Sequence, residues 1–256
     1  MKVTMLGCGP SWGVPRIGGE WGACDPAEPR NRRTRVSILV EEGPTRLLVD
    51  TSPDLRQQLL AAEVRGVDAV LFTHAHADHL HGIDDLRSVN RLIRKNLPVY
   101  ADRRTLDEIR TRFGYVFPAL APESKGGFYK PVLEPNEIDG PFVAAGIPIT
   151  PIEQDHGFST TLGFRFGDFA YSTDVIRLDE RGFSALVGIE VWIVDCMRRA
   201  PHVTHSHLAQ TLAWIARIKP RRAILTHMDE SLDYGSLRRE LPPGVEPGYD
   251  GLAIDV

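Results

Sequence analysis

Residues 74 to 79 read His-Ala-His-Ala-Asp-His and follow the apolar run Ala-Val-Leu-Phe at 69–72, from which only Thr73 separates them. Three imidazoles and one carboxylate lie within six positions, a density that no common structural need explains. Imidazole and carboxylate groups are ligands for zinc, manganese and iron. A short loop at the end of a strand can direct several such side chains to one point. We therefore interpret residues 74–79 as a metal-binding loop rather than a solvated polar loop.

The composition is that of an ordinary globular protein, with 256 residues of which 42% are hydrophobic and 25% charged. No break in composition marks a linker, so we expect a single domain over residues 1–256. The net charge of −4 argues against a nucleic-acid-binding protein, because such proteins are more often basic. The sequence does not reveal the oligomeric state; dimers are the commonest of the soluble oligomers, so a homodimer is one possible assembly.

The three cysteines, Cys8, Cys24 and Cys196, form an odd and sparse set that favours a reducing compartment over a disulfide framework. The first residues are too short and too interrupted by glycine for a signal peptide. The apolar runs are too short for a transmembrane helix. We expect a cytoplasmic protein with no membrane partner.

Strands and helices alternate along the chain, which predicts a mixed α/β fold. Alternation and turn residues predict strands near 2–6, 36–41, 45–50, 69–72, 99, 147–152, 161–166, 169–172, 191–195 and 223–226. Helical spacing predicts helices over 53–62, 83–93, 105–113, 180–187 and 208–218, the first with Ser52 as N-cap and Pro53 at its first position. Residues 114–141 hold many prolines and aromatics, and we interpret them as a long irregular loop, either a lid or a surface excursion.

One arrangement recurs along the chain: an apolar strand ends and a metal-capable residue follows. The residues delivered in this way are Asp50, His74, His156, Asp174 and His227. Strand ends of one sheet converge on one edge, where open α/β sheets place their sites. The candidate ligands are then His74, His76, Asp78, His79, His156, Asp174 and His227. They are too many for one tetrahedral ion and suit two ions that share a carboxylate.

The same residues resemble the motif of the metallo-β-lactamase-fold hydrolases. The resemblance implies a four-layer αβ/βα sandwich as the fold. It also implies a first metal held by His74, His76 and His156, and a second held by Asp78, His79 and His227. By the same resemblance Asp174 bridges the two ions, and Asp50 supports the ligand loop without binding metal.

Two N-terminal stretches, residues 7–15 and 29–40, resemble the cyclic phosphodiesterase branch of that family, the PhnP type that includes phosphoribosyl 1,2-cyclic phosphate phosphodiesterase. That branch often carries a structural zinc on three cysteines and a histidine. The corresponding positions here are Gly19, Trp21, Cys24 and Glu230. One thiolate and a carboxylate do not reproduce such a site. We expect no structural zinc, with Trp21 filling its volume.

The resulting hypothesis is a phosphodiesterase with two divalent ions, zinc or manganese, acting on a small phosphate-containing substrate such as phosphoribosyl cyclic phosphate or a cyclic nucleotide. His205 is the candidate general acid and phosphate contact, with His202 and His207 as alternates, and Asp78 is expected to contribute to catalysis. The arginines at 30–35 could bind substrate phosphates or form salt bridges.

Alternatives from other classes remain open. A tRNA 3′-processing endonuclease of the ribonuclease Z type is disfavoured by the acidic balance and by the lack of a Lys/Arg-rich insertion. A thioester hydrolase would share the metal core without needing the histidines of 202–207. A non-catalytic, metal-bound ligand sensor would keep the ligands without a reaction.

Overall fold

Two β-sheets pack face to face, and each is covered on its outer side by helices in the computed structural model, which describes residues 1–121 and 127–256. The first half of the chain supplies strands β1 (Lys2–Gly7), β2 (Ser37–Glu42), β3 (Thr45–Val49), β4 (Ala69–Leu71), β5 (Leu97–Ala101) and β6 (Leu133–Glu137). It also supplies helices α1 (Leu55–Ala61), α2 (Ala77–Leu80), α3 (Leu86–Ile93) and α4 (Arg103–Phe113).

The second half supplies strands β7 (Phe142–Ala144), β8 (Ile147–Asp155), β9 (Thr160–Phe166), β10 (Phe169–Ser172), β11 (Val191–Asp195), β12 (Arg222–Thr226), β13 (Val245–Pro247) and β14 (Ala253–Asp255). Its helices are α5 (Glu180–Leu186), α6 (Leu208–Ile218) and α7 (Tyr234–Glu240). Short 3-10 turns lie at Pro29–Asn31, Ile83–Asp85 and Gly114–Val116.

Each sheet has seven strands, in the orders β14-β1-β2-β3-β4-β5-β6 and β13-β12-β11-β10-β9-β8-β7. The centre of each sheet is parallel: β3 pairs with β4 and β4 with β5, and β10 pairs with β11 and β11 with β12. Strands β4 and β11 are buried on both faces, which explains their continuous apolar sequences. The metal-capable residues follow the carboxyl ends of these strands.

The largest core lies between the sheets and joins residues of both, among them Val49, Leu71, Phe164 and Ile193. A second core lies between the first sheet and its helices, where Leu55, Leu86 and Leu106 pack against Val70 and Leu97. Helices α5, α6 and α7 add Phe183, Trp214 and Leu237 to the main core from the other side. This four-layer arrangement confirms the predicted αβ/βα sandwich.

Helix α1 begins at Leu55, so the prediction of a start at Pro53 with Ser52 as N-cap was wrong. The Ser52 hydroxyl accepts from the Asp54 amide at 3.1 Å and donates to Gln58 Oε1 at 2.9 Å. These contacts form a turn before the helix, and the N-cap position falls to Asp54.

The prediction of an irregular loop over residues 114–141 was wrong for Leu133–Glu137, which form the edge strand β6 and pair in parallel with β5. Pro135 concealed this strand, since proline has no backbone N–H to donate to a neighbouring strand and therefore argues against a strand in the sequence. Arg87 and Arg91 donate to the carbonyls of Tyr129 and Phe128 and so attach part of the segment to α3. Residues 122–126 lie outside the described residues.

Across residues 1–121 and 127–256, none of the helices combines the length and the apolar character that a membrane span requires.

Candidate metal centre

The ligand loop begins where β4 ends, and the local sequence explains its shape. His74 follows the buried Thr73, His76 occupies the N-cap position of α2, and Asp78 and His79 lie within that four-residue helix. His74, Asp78 and His79 are buried, whereas His76 is exposed. A very short helix after a central strand therefore directs neighbouring side chains to one place.

Side chains from the second sheet meet this loop. His156 follows β8, Asp174 lies two residues after β10, and His227 follows β12. All three are nearly inaccessible, with exposures of 3%, 2% and 1%. The structure thus brings together all seven residues that the sequence analysis selected.

The seven side chains divide into two groups, and within each group the ligand atoms lie within 4.8 Å of one another. The first group is His74, His76, His156 and Asp174, and the second is Asp78, His79, His227 and Asp174. Asp174 belongs to both. Its Oδ1 lies 3.8 Å from the Nε2 atoms of His74 and His156, and its Oδ2 lies 3.1 Å from His79 Nε2.

The donor chemistry fits two divalent cations. The Nε2 atoms of His74, His79 and His227 are buried and form no hydrogen bond with any part of the protein that the structure describes. Buried polar atoms normally have partners, so ring nitrogens left without one are poised for a ligand. Imidazole nitrogens with carboxylate oxygens form the donor set that zinc and manganese accept.

A second layer of contacts orients the ligands. Asp50 Oδ2 accepts from His79 Nδ1 at 2.7 Å and from the Thr73 hydroxyl at 2.8 Å, while Asp50 Oδ1 accepts from the Thr73 amide at 2.8 Å. On the other side, His156 Nδ1 donates to the Thr204 carbonyl at 2.8 Å. Such contacts leave the Nε2 atoms of His79 and His156 available to a metal ion. Asp50 therefore lies where the sequence analysis expected it, behind the ligand loop.

Asp50, Asp174 and His227 adopt positive φ angles of 64°, 55° and 59°. This left-handed region is uncommon for residues with a side chain and is found where the surrounding structure imposes it, often at functional sites. Each of the three follows a central strand. The backbone turns abruptly there, which points the side chain across the end of the sheet.

Two effects set the pKa values within the centre: burial of the side chains, and the attraction between the histidines and the carboxylates. Desolvation lowers the pKa of His74 well below its ordinary value, which favours the neutral imidazole that binds metal. Desolvation alone would raise the pKa of Asp174, but His227, His79 and His205 hold it well below the usual range. Burial would lower the pKa of His227, yet the carboxylates of Asp174 and Asp78 beside it raise the pKa to about 9.

Of the three histidines in residues 202–207, His205 is the one that faces the centre. Its Nε2 lies 3.7 Å from Asp174 Oδ1, and the residue is 7% exposed. His202 lies beside it with a ring-centroid separation of 5.3 Å. His207 instead contacts Gln210 through its Nδ1 at 3.2 Å. Geometry favours His205 over both alternates.

The sequence analysis missed Asp195, which lies at the end of β11 and is fully buried. Its Oδ2 lies 3.4 Å from His205 Nδ1 and accepts from the Ser206 amide at 3.0 Å. The sequence does contain a pattern that could have identified it, because Asp195 stands at the end of an apolar strand, as do the candidate ligands His74, Asp174 and His227. Thr73 and Thr204, which orient ligands, carry no comparable signal.

The arginines of 30–35 take structural roles away from the centre. Arg33 is buried and donates to the carbonyls of Asp229 and Leu232 at 2.9 and 2.5 Å. Arg35 pairs with Asp54 at 3.1 Å.

The positions that correspond to the structural zinc site of the related branch are held by other contacts. Trp21 is partly exposed and stacks under Arg32, so it does not fill a buried volume as expected. Arg16 and Trp12 both bind the Glu230 carboxylate.

Comparison with known proteins identifies the family to which this fold and this arrangement of histidines and aspartates belong. A family model for the beta-lactamase superfamily domain matches residues 45–228. An octanoyltransferase from Porphyromonas gingivalis is 34% identical over 98% of this chain, and the chain spans about half, 51%, of that relative's length. The crystal structure of a diphosphatase from the PhnP family superposes with a TM-score of 0.91 at 30% identity, covering 100% of this chain and 97% of that one.

The human short-form tRNase Z shares the fold alone, with a TM-score of 0.69 at 15% identity over 100% of this chain and 99% of that one. The family model covers well over half of the chain and includes every proposed ligand. The chain therefore belongs to the beta-lactamase superfamily and has the metallo-β-lactamase fold of the PhnP type.

Proposed function

We propose that the chain is a phosphodiesterase with two divalent metal ions that hydrolyses small, phosphate-containing substrates, cyclic phosphodiesters among them. The observation that carries the proposal is the pair of ligand groups sharing Asp174, with His205 beside the shared carboxylate at 3.7 Å. The similarity to a diphosphatase of the PhnP family supports a phosphate-containing substrate. We also propose that residues 1–256 act as one hydrolase domain.

In this proposal His74, His76 and His156 hold the first ion, Asp78, His79 and His227 hold the second, and Asp174 contacts both. Two bound divalent ions would supply Lewis acidity and an acidified water for attack on phosphorus. Zinc and manganese both suit this donor set. Asp78 takes part in catalysis by holding the second ion.

His205 has the position of a proton donor. Its Nε2 faces the centre, and its Nδ1 faces Asp195 at 3.4 Å. With the Asp195 carboxylate behind the ring, the imidazole is oriented so that its Nε2 points toward the centre. A protonated His205 could contact a phosphoryl oxygen and give its proton to the leaving alkoxide, which is a poor leaving group without one.

The test is hydrolysis of bis(p-nitrophenyl) phosphate, 2′,3′-cyclic nucleotides and phosphoribosyl cyclic phosphate by protein loaded with zinc or manganese. We expect His205→Ala to lower kcat roughly 10²- to 10⁴-fold with two metal ions per chain retained. His202→Ala is the matched control and should change kcat far less. Loaded protein that turns over none of these substrates, or a His205→Ala variant with wild-type rates, would refute the proposal.

A second candidate, hydrolysis of an acyl ester or thioester, is favoured by one observation, the 34% identity to a protein named octanoyltransferase. The chain matches only about half of that protein. Metal-loaded enzyme should be assayed with p-nitrophenyl octanoate and an octanoyl thioester beside the phosphodiesters. Turnover of the acyl substrates alone, insensitive to His205→Ala, would favour this candidate. Cleavage of a precursor tRNA in the same panel would favour the ribonuclease Z alternative.

A further inference from the structure

A cavity of about 310 Å³ opens beside the candidate metal centre, between the ligand loop and helix α4. His74 and His76, two proposed ligands of the first ion, form one wall. Arg104 and Arg112 of α4 form the opposite wall. A volume of this order accommodates part of a small ligand, and the cavity adjoins the candidate metal centre through His74 and His76.

The α4 wall is a stripe of charged residues at helical spacing. Arg104, Glu108 and Arg112 recur every four positions, so their side chains lie on the same face of the helix. Arg112 lies 3.5 Å from Glu108 and also donates to the Ala75 carbonyl in the ligand loop. Glu108 therefore compensates one of the two cations, and the stripe keeps a net positive charge.

Arg104 is the cation that remains available. It forms no hydrogen bond or ion pair with any residue in the described ranges 1–121 and 127–256. The neighbouring Arg103, in contrast, is paired with Glu137 at 2.7 Å on the side of β6. A guanidinium that lines a cavity without a partner suits a phosphate, which it can bind through two parallel hydrogen bonds.

The third wall of the cavity supplies hydroxyl donors. Ser159 lies in the turn between β8 and β9 and Thr160 is the first residue of β9, three and four residues after the proposed ligand His156. The cavity thus offers cationic and neutral donors at one side of the metals. A compact cyclic monophosphate held at the metals would leave these donors unused.

We propose that this cavity is a second anion subsite that binds the non-reacting phosphoryl group of a diphosphate-class substrate, with Arg104 as its specificity-determining residue. The inference rests on the proposed phosphodiesterase function and narrows its substrate class. A phosphoryl group bound at the metals and a second one in the cavity would fix the direction in which the substrate lies. Arg104 contributes to affinity for the second group and takes no part in the reaction at the first.

The test compares two competitive inhibitors of bis(p-nitrophenyl) phosphate hydrolysis, AMP and α,β-methylene-ADP, which differ by the second phosphoryl group. For the wild type we expect the inhibition constant of α,β-methylene-ADP to be about tenfold lower than that of AMP, since a charge-assisted contact to Arg is lost with AMP. Arg104→Ala should bring the ratio close to one, and Arg104→Lys should restore part of it. Arg103→Ala is the matched control and should leave the ratio unchanged.

Hydrolysis of bis(p-nitrophenyl) phosphate itself separates this inference from the proposed function. Arg103→Ala, which removes a guanidinium that pairs with Glu137 outside the cavity, should retain wild-type kcat and KM on that substrate. Equal inhibition of the wild type by the two nucleotides, or an unchanged ratio in Arg104→Ala, would overturn the subsite while leaving the phosphodiesterase intact. Absence of any turnover by the metal-loaded wild type would instead count against the proposed function.

Discussion

At the scale of single residues, Asp195 determines how His205 is held. The Asp195 carboxylate is fully buried and faces His205 Nδ1 at 3.4 Å. The Ser206 amide and hydroxyl fix the same carboxylate oxygen, at 3.0 and 3.2 Å. Asp195 is therefore a positioning residue, which acts on a substrate only through His205.

Asp195→Asn should lower kcat about tenfold or more while KM and the metal content stay near wild-type values, because the amide keeps the shape but not the charge behind His205. Steady-state kinetics with bis(p-nitrophenyl) phosphate and elemental analysis provide the measurement. Ser206→Ala is the control, since it removes a hydroxyl contact but retains the carboxylate, and should have a smaller effect. A parallel loss of bound metal in Asp195→Asn would show that the residue supports the ligands instead.

The ligand residues could be predicted from the sequence because much of the set is local. Four of the side chains lie within residues 74–79, and the others each follow an apolar strand. Asp195 follows an apolar strand too, but a lone aspartate at that position reads equally well as a turn residue. Only its approach to His205, ten residues further along, distinguishes the two roles, and that approach depends on the tertiary fold.

At the scale of elements, Arg33 connects the N-terminal loop to the segment that follows the proposed ligand His227. Its guanidinium is buried, donates to the carbonyls of Asp229 and Leu232, and lies 3.9 Å from the sulfur of Cys24. In the related branch a structural zinc is expected to join these same two regions. Here a buried cation with several carbonyl acceptors joins them.

Arg33→Met should destabilise the fold by about 3–5 kcal/mol, because it leaves buried carbonyls without donors although the side-chain volume is similar. Arg32→Met is a matched control, since Arg32 is exposed and stacks on Trp21. Urea denaturation followed by circular dichroism gives both free energies of unfolding. Equal stability of the two variants would mean that Arg33 does not hold the loop in place.

Asp250 joins the end of β1, the N-terminal loop and the C-terminal segment. It accepts from the Cys8 amide at 3.1 Å and from the Thr34 amide and hydroxyl at 2.7 and 2.6 Å. Burial raises its pKa to about 6 despite these hydrogen bonds, against 3.8 for an ordinary aspartate. The folded state therefore binds a proton more tightly than the unfolded chain does.

The stability contributed by protonated Asp250 is present in full below pH 4 and is lost as the pH rises through 6. The shift corresponds to about 3 kcal/mol, which we reduce to about 2 kcal/mol because the residue keeps partial contact with solvent. Asp250→Asn does not titrate, so its free energy of unfolding should rise by that amount relative to the wild type between pH 4 and pH 7. Parallel pH profiles for the two proteins would contradict this expectation.

Sequence patterns located the longer elements well, and the misses have physical reasons. Strands β7, β13 and β14 have only three residues each, too few for alternation to be recognised. They form because sheet neighbours supply hydrogen bonds that no local pattern records. Helix α6 was predicted with its observed bounds, 208–218, since several turns of apolar periodicity define it.

At the scale of the whole molecule, the candidate metal centre lies across the junction of the two sheets. The loop after β4 brings His74, His76, Asp78 and His79 from the first sheet. The second sheet brings His156, Asp174 and His227. Each proposed ion takes ligands from both sheets, so metal binding would link the two halves of the main core.

Removal of the metal ions should therefore lower the stability of the entire fold. Without cations, buried histidine nitrogens lack partners and the carboxylates Asp78 and Asp174 face each other at close range. Ligand binding stabilises a folded protein by about 4 kcal/mol at a thousandfold excess over Kd, which for a domain of this size corresponds to a rise in Tm of roughly 8–16 °C. Calorimetry on chelated protein, before and after addition of zinc or manganese, measures the shift.

Two variants make this last prediction specific. His227→Ala removes a proposed ligand of the second ion and should reduce the metal-dependent rise in Tm, together with one equivalent of bound metal. His207→Ala, which changes a histidine that contacts Gln210 away from the centre, should retain the full rise. If zinc and manganese leave the Tm of fully chelated wild-type protein unchanged, the seven side chains do not bind metal across the two sheets.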